Sequence, residues 1–350
     1  MQQIIRNIYA HLGDDESKEI YVNRLLFSLT GDRNYIIRII QNTELYQNIC
    51  EILKTDRREK YIFGIGQWGK IITDLFWEFG FSGIIDNYAK GRYRSLPILN
   101  LKDFLKKNAD ASVYIASTGF HTDFYEMLRL AGIKEERIID ITGMMLDVYH
   151  ERQYFDLPVL RECKEEKEIF VDGGCYDAAN SDMFTKWAGN MPKKVYAFEP
   201  DENNFRICKA VLENIKDLHY ELIPKGLWSS ENVLKFCASA NEASQLAENG
   251  KVQIPVTRLD TAVDGKATFL KMDIEGAEYE ALQGAENLIR KYRPKLAISV
   301  YHKMEDIWEL PNLILSFCSD YTFYLRHYSL SSEETVLYAV VRKGKKENGI

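Results

Sequence analysis

Apolar residues recur at helical spacing along the first part of the chain, in Ile20, Leu25, Leu26 and Leu29 and again in Ile36, Ile37, Ile40, Leu45, Ile49 and Leu53. That period gives each helix one apolar face, and Gly31-Asp32 breaks the two runs. Residues 1–58 are therefore expected to form a helical cap that carries no chemistry. From residue 60 the pattern changes to short apolar runs separated by helical stretches. Tyr61-Ile62-Phe63, Gly83-Ile84-Ile85, Ser112 to Ala116 and Arg137 to Asp140 read as strands, with helices near 70–79 and 121–131. Strands alternating with helices indicate a parallel sheet, so 59–142 is expected to be a small Rossmann-like domain. Residues 143–165 read as a linker; Pro158 and the run Arg161 to Glu168 mark the boundary, and that charge run reads as a solvated segment.

A second alternation begins at Ile169. Strands are expected at 169–171, 194–198, 220–224, 233–237, 252–256, 267–272, 295–300, 321–326 and 335–341. The pair 233–237 and 252–256 reads as an antiparallel excursion, and the last two strands, separated by Ser329 to Glu334, read as a hairpin. The expected fold class is α/β. A doubly wound Rossmann-like domain covers 166–342, preceded by the smaller one and the helical segment, and 343–350 is a tail.

Composition adjusts this picture in three places. A chain of 350 residues with 46% hydrophobic content can bury two cores and is not globally disordered. A net charge of −7 argues against a general nucleic-acid binder, whose surface is usually basic. No stretch approaches 18 uninterrupted apolar residues, so no membrane span is expected, and the opening MQQIIRNIYAHLGDDES lacks the features of a signal peptide. The six cysteines are scattered with no CxxC pair, which suits reduced thiols in a cytoplasm. Nothing indicates an oligomeric state.

The chemistry concentrates at strand ends. Strand Ile169-Phe170-Val171 runs into Asp172-Gly173-Gly174-Cys175-Tyr176-Asp177 and then a helix. Glycines there let the backbone approach a ligand, which in open α/β sheets lies outside the carboxyl ends of the strands. A loop that opens with an acid suits a cationic ligand rather than a pyrophosphate. Glu199 follows the next strand, 27 residues after Asp172, where a carboxylate can accept both hydroxyl protons of a ribose. In Lys271-Met272-Asp273-Ile274-Glu275-Gly276-Ala277-Glu278 a third strand ends in Asp273, which places Asp273 and Glu275 beside the cleft, with Lys271 able to neutralise one carboxylate. His302 and His327 close the following strands. A neutral imidazole is matched to taking a proton from a hydroxyl, and His302 is the preferred general base. No metal is assigned, although Asp273, Glu275 and His302 together are a set that a divalent ion can use.

The segments DGGCYD, FEP, IPVTRLD (254–260) and above all KMDIEGAE resemble the FkbM-type methyltransferases over about 166–342. The resemblance implies a seven-stranded Rossmann-like methyltransferase fold and S-adenosylmethionine as donor. It also implies methylation, usually of oxygen, on a sugar, glycan or secondary metabolite. Asp172, Gly173, Gly174, Tyr176, Glu199 and Asp273 would then hold the cofactor, and His302, Asp273 and Glu275 would be catalytic. The chain departs from the family at Ala178, where a glycine is common, and at Tyr176, where a small polar residue is frequent, so the loop is expected to be wider or re-aimed.

The small domain has a motif of its own. Gly64, Gly66 and Gly69 follow a strand and open a helix, and Asp86 lies 17 residues after Gly69, the context of a dinucleotide fingerprint. Two alternatives stay open at this point: an NAD-dependent sugar-modifying oxidoreductase or epimerase using Gly64 to Asp86, and a non-catalytic nucleotide-binding module.

Overall fold

The computed structural model describes residues 1–107, 110–189, 194–237, 245–246 and 252–342. Its strands, in chain order, are β1 (Lys60–Phe63), β2 (Gly83–Ile85), β3 (Gly91–Tyr93), β4 (Leu96–Leu99), β5 (Ser112–Ile115), β6 (Ile138–Asp140), β7 (Ile169–Gly173), β8 (Lys194–Phe198), β9 (Tyr220–Ile223), β10 (Gly226–Leu227), β11 (Asn232–Cys237), β12 (Gln245–Leu246), β13 (Val252–Thr257), β14 (Phe269–Met272), β15 (Lys295–Ser299), β16 (Thr322–His327) and β17 (Thr335–Val340). The chain divides into two compact units. One comprises Met1–Tyr35, His150–His327 and the chain from Glu333 on; the other comprises Ile36–Tyr149 and Tyr328–Ser332. The helical segment 1–58 is thus shared between the units. The tail expected at 343–350 lies outside the described residues.

The smaller unit holds a six-stranded sheet in the order β3-β4-β2-β1-β5-β6. Only β3 runs antiparallel to its neighbour. Phe63, Ile85, Val113, Ile115 and Leu128 are buried in its core. The β3–β4 hairpin has no counterpart in the expected strands. It is short, it turns on Arg94 in a left-handed conformation, and Pro97 interrupts the alternation that marks a strand.

The larger unit is a seven-stranded sheet in the order β16-β17-β15-β14-β7-β8-β9. All neighbours are parallel except that β17 runs against both β15 and β16. Helices cover both faces of such a sheet, so the inner strands read as unbroken apolar runs, and β7, β14 and β15 are buried throughout. Phe155, Phe170, Phe184, Trp187 and Phe269 pack ring to ring on one face, with Phe170 and Phe184 stacked at 4.4 Å. The strand order reverses between β7 and β14, and at such a switch point the crevice outside the strand ends takes the ligand. The antiparallel excursion forms a separate four-stranded sheet, β10-β13-β11-β12.

Strand β16 lies at the sheet edge, where unpaired backbone groups invite association. The segment before the second helix covers it. Phe323 N–H donates to His11 O and Gly13 N–H to Phe323 O, both at 2.8 Å. Asp14 caps the helix Asp15–Thr30 by accepting from Ser17 N–H, and it pairs with Arg326 at 2.7 Å.

Two expectations need correction. Residues 143–165 are largely helical, in Ile141–Glu151 and Pro158–Glu162, and they supply Phe155 to the aromatic core. The charged run is not wholly solvated. Glu168 is buried and pairs with Lys295 at 2.9 Å, because a carboxylate at the base of β7 must find a cation once the sheet encloses it. No helix among the described residues is long and apolar enough to cross a membrane.

Candidate functional site

The loop after β7 is held from beneath. Asp172 and Lys271, on adjacent strands, are 0% and 1% exposed and lie 3.1 Å apart. Ser181 donates to the other Asp172 oxygen at 2.7 Å, and Lys271 Nζ donates to the carbonyls of Gly173 and Gly174 at 3.2 and 2.7 Å. Burial alone would lower the Lys271 pKa, but the carboxylates of Asp172 and Asp273 carry it above the ordinary lysine value. The carboxylate that Lys271 neutralises is therefore Asp172. This corrects the expectation that Asp172 offers its charge to a cationic ligand. An unpaired buried carboxylate is costly, so its charge is spent on Lys271 and on fixing the loop.

The loop is tight and strained. A Cβ on Gly174, whose φ is +72°, would stand 2.0 Å from the Asp273 carbonyl oxygen, so only glycine lets this backbone lie against the end of β14. Tyr176 and Ala178 both have positive φ, 52° and 62°. The position where related proteins commonly carry a glycine does adopt the conformation that favours it.

Glu199 sits just past β8 and reaches back to this loop. Its two oxygens accept from Tyr176 N–H and Asp201 N–H, each at 2.9 Å. Burial raises its pKa, partly opposed by these two N–H groups. Each oxygen keeps a further lone pair for a ligand hydroxyl. The phenol of Tyr176 is exposed.

Beyond β14 a second cluster forms. Tyr154 donates to Asp273 Oδ2 at 2.8 Å and Tyr301 to Asp273 Oδ1 at 3.2 Å. Tyr301 also lies 3.3 Å from Glu334, whose other oxygen accepts from Gln153 at 2.5 Å. His302 Nε2 is 3.4 Å from Asp273 Oδ1 and 3.7 Å from Glu275 Oε2, while Nδ1 is 3.0 Å from Glu278 Oε1. Glu278 is fixed in turn by Ile274 N–H at 2.9 Å. The structure therefore brings Asp273, Glu275 and His302 together.

It corrects the protonation state expected of His302. Burial would lower its pKa, but Glu278 beside Nδ1, with Asp273 and Glu275 beside Nε2, pushes it up to about 10. At neutral pH the ring is a cation held among carboxylates and not a free base. Burial tends to raise the Asp273 pKa, and His302, Lys271 and the Tyr154 phenol outweigh it, leaving it below the usual carboxylate value. Glu334 goes the other way, to about 8, through burial and then the charge on Asp273. His327 is buried and bonded to Thr335 across the hairpin at 2.8 Å.

Sequence reasoning did not single out Tyr154, Gln153, Tyr301 or Glu334, and it assigned no role to Glu278. Only Tyr301, next to His302 at the end of β15, carried a local signal. In the smaller unit Gly64, Gly66 and Asp86 come together, but Asp86 accepts from Ile65, Tyr88 and Ala89 N–H and so braces the loop itself. A Cβ on Gly69 would lie 1.9 Å from the Gly64 carbonyl oxygen, so that glycine serves strand–helix contact.

Comparison with known proteins agrees with this geometry. The family model described as methyltransferase FkbM domain matches residues 173–325. The crystal structure of methyltransferase FkbM from Methylobacillus flagellatus KT superposes with a TM-score of 0.50 at 21% identity, covering 83% of this chain and 93% of that one. An rRNA methylase from Streptococcus thermophilus gives 0.37 at 17% identity, covering 53% and 93%. Aeropyrum pernix fibrillarin, in complex with natively bound S-adenosyl-L-methionine, gives 0.33 at 11%, covering 51% and 68%. No curated protein matches the chain. The loop ending in Gly174, the acid after β8 and the acids after β14 all fall in or at the edge of the matched segment, and through that FkbM domain the chain is a methyltransferase.

Proposed function

We propose that the larger unit transfers the methyl group of S-adenosylmethionine to a hydroxyl oxygen of a small-molecule or glycan acceptor. The observation that carries the reading is the meeting of three elements at the β7/β14 switch point: the Gly173-Gly174 backbone, the Glu199 carboxylate, and the Asp273–Glu275–His302 cluster. The residues fit such a donor. Glu199 has acceptor capacity to spare for two ribose hydroxyls, and the turn at Gly174 keeps side chains out of the methionine end. When bound, the donor supplies an electrophilic methyl carbon on a sulfonium, which leaves as a neutral thioether.

The protein's own contribution is position and charge. Holding acceptor and donor in line converts a bimolecular step into an effectively intramolecular one. A carboxylate oxygen of Asp273 or Glu275 would take the proton of the acceptor hydroxyl. His302, as a cation, orients both carboxylates; Tyr154 and Tyr301 fix Asp273 from the other side. Oxygen is favoured over nitrogen as acceptor because an uncharged hydroxyl needs this base, and because the resemblance points the same way.

Isothermal titration of the intact protein with S-adenosylhomocysteine tests the reading. One site is expected, weakened in Glu199→Ala. Absence of binding by folded protein would refute the reading, as would binding unchanged in that variant.

A further inference from the structure

Two carboxyl groups share one phenol past β14. Tyr301 Oη lies 3.2 Å from Asp273 Oδ1 and 3.3 Å from Glu334 Oε1. A phenol has one hydrogen to give, and an ionised carboxylate has none. With both acids ionised, one of these contacts is a meeting of lone pairs. Both become hydrogen bonds once one acid keeps its proton, because Tyr301 then accepts from that acid and donates to the other.

The surroundings select the acid that keeps it. Asp273 has His302 Nε2 at 3.4 Å and a second phenol, Tyr154, at 2.8 Å. Burial tends to raise its pKa, but His302 and Lys271 hold it below the usual carboxylate value. Among the described residues Glu334 hydrogen-bonds only to neutral groups, Tyr301 and, through its other oxygen, the Gln153 amide at 2.5 Å. Burial, and then the charge on Asp273, push it up to about 8.

We propose that Glu334 is a positioning residue: it keeps its proton and donates to Tyr301, so that Gln153, Glu334, Tyr301 and Asp273 form one directed chain of hydrogen bonds.

Every donor in the chain then points toward Asp273. Gln153 Nε2–H gives to Glu334 Oε2, Glu334 Oε1–H to Tyr301 Oη, and Tyr301 Oη–H to Asp273 Oδ1. With Tyr154 donating to Oδ2, both Asp273 oxygens are held. Bonds linked in this way polarise one another, so the last one is stronger than an isolated phenol would make it. When Glu334 releases its proton to solvent, the chain breaks in the middle. Tyr301 then has two carboxylates for one hydrogen, and Asp273 loses its hold on one side. The titratable groups that face Glu334 are Asp273 after β14, Tyr301 and His302 after β15, Tyr154 from the segment before β7, and Glu333 beside it in the chain. The chain itself needs no cofactor; that it steadies an acid beside an acceptor rests on the methyltransferase reading.

The test is a titration of full-length protein labelled with carbon-13 at its aspartate and glutamate side-chain carboxyls, followed by nuclear magnetic resonance from about pH 6 to about 9. Asp273→Asn and Glu334→Gln assign the two resonances. In wild type, Glu334 should titrate with a midpoint of about 8, and the Asp273 resonance should shift in step with it. In Glu334→Gln, which cannot ionise, that Asp273 step should be absent, while a step from Asp306, whose pKa is about 7, stays. In Tyr301→Phe, Glu334 should still titrate and Asp273 should lose most of its response. A Glu334 already ionised at about pH 6 in folded wild-type protein would overturn the inference. So would an Asp273 response unchanged in Tyr301→Phe, since the two acids would then sense each other through space and not through the phenol. S-adenosylhomocysteine binding by the same wild-type protein decides the methyltransferase reading separately.

Discussion

Replacing Lys271 by methionine removes one charge from a fully enclosed pair while keeping the length of the side chain. Asp172 then keeps only the Ser181 hydroxyl, and the carbonyls of Gly173 and Gly174 lose their shared donor. Breaking a buried pair by removing one partner costs about 3–5 kcal/mol, because the other charge stays behind unpaired. For a unit of this size that is a fall of roughly 6–20 °C in the melting temperature. In Lys271→Met/Asp172→Asn both charges are gone and Ser181 can still donate to the amide oxygen. The double variant should therefore recover most of the loss, to within about 1–2 kcal/mol of wild type. Calorimetry is the assay of choice, since two compact units can melt separately and only the transition of the larger one should move. A loss below about 1 kcal/mol in Lys271→Met would refute the reasoning, as would a double variant as unstable as the sum of the singles. Either result would return Asp172 to the role of a ligand-facing acid.

Two further outcomes follow from the same region. Ala178 holds a left-handed conformation at φ 62°. Ala178→Gly relieves about 1 kcal/mol or more of strain but loses a buried methyl and gains unfolded-state entropy, so the change should stay within about 0.5 kcal/mol of wild type. Ala210→Gly, on an exposed helical position, should cost about 1 kcal/mol, and equal losses in the two by urea denaturation would contradict the strain argument. Glu334 is the second case. It faces Asp273, Glu333, His302, Tyr301 and Gln153, and its pKa of about 8 lies above the ordinary value of 4.5. The native state therefore keeps a proton that the unfolded chain has released. The stability this provides is complete below about pH 4.5 and is lost as pH rises through about 8. Glu334→Gln should gain stability relative to wild type from about pH 5 to about 8 and level off above it, and parallel pH profiles of unfolding free energy for the two proteins would exclude the shift.

What the sequence reveals of this site and what it hides divide along a physical line. Asp172, Glu199 and Asp273 are legible because each ends a run of apolar residues, and in a parallel sheet the end of a strand is also an address in space. Lys271, two residues before Asp273, points along the same strand and is legible as a neutralising group, though only the pairing of β7 with β14 selects Asp172 as its partner. The β3–β4 hairpin and the helix Pro158–Glu162 are hidden, because short elements that contain a proline give no sustained period. The charge of His302 is hidden for a different reason. It depends on three carboxylates gathered by one turn, not on the residue type.

Tyr154 and Glu334 belong to the last class, whereas Glu275 is legible beside Asp273. Each reaches the cluster from a backbone position with positive φ, 72°, 56° and 61°, which no propensity favours for these residues. With Tyr176 and Ala178 they make five of the eight non-glycine residues of positive φ among the described ones, and all five lie in the Glu199 loop or the Asp273 cluster. Strain of about 1–3 kcal/mol at each such position persists only where the surroundings enforce it. A fold whose larger unit is otherwise regular thus concentrates its unfavourable backbone where cofactor and acceptor are proposed to meet. The Asp273 cluster is accordingly held by packing on several sides at once, and conservative changes to Tyr154 or Glu334 should displace the Asp273 carboxylate before they unfold the sheet.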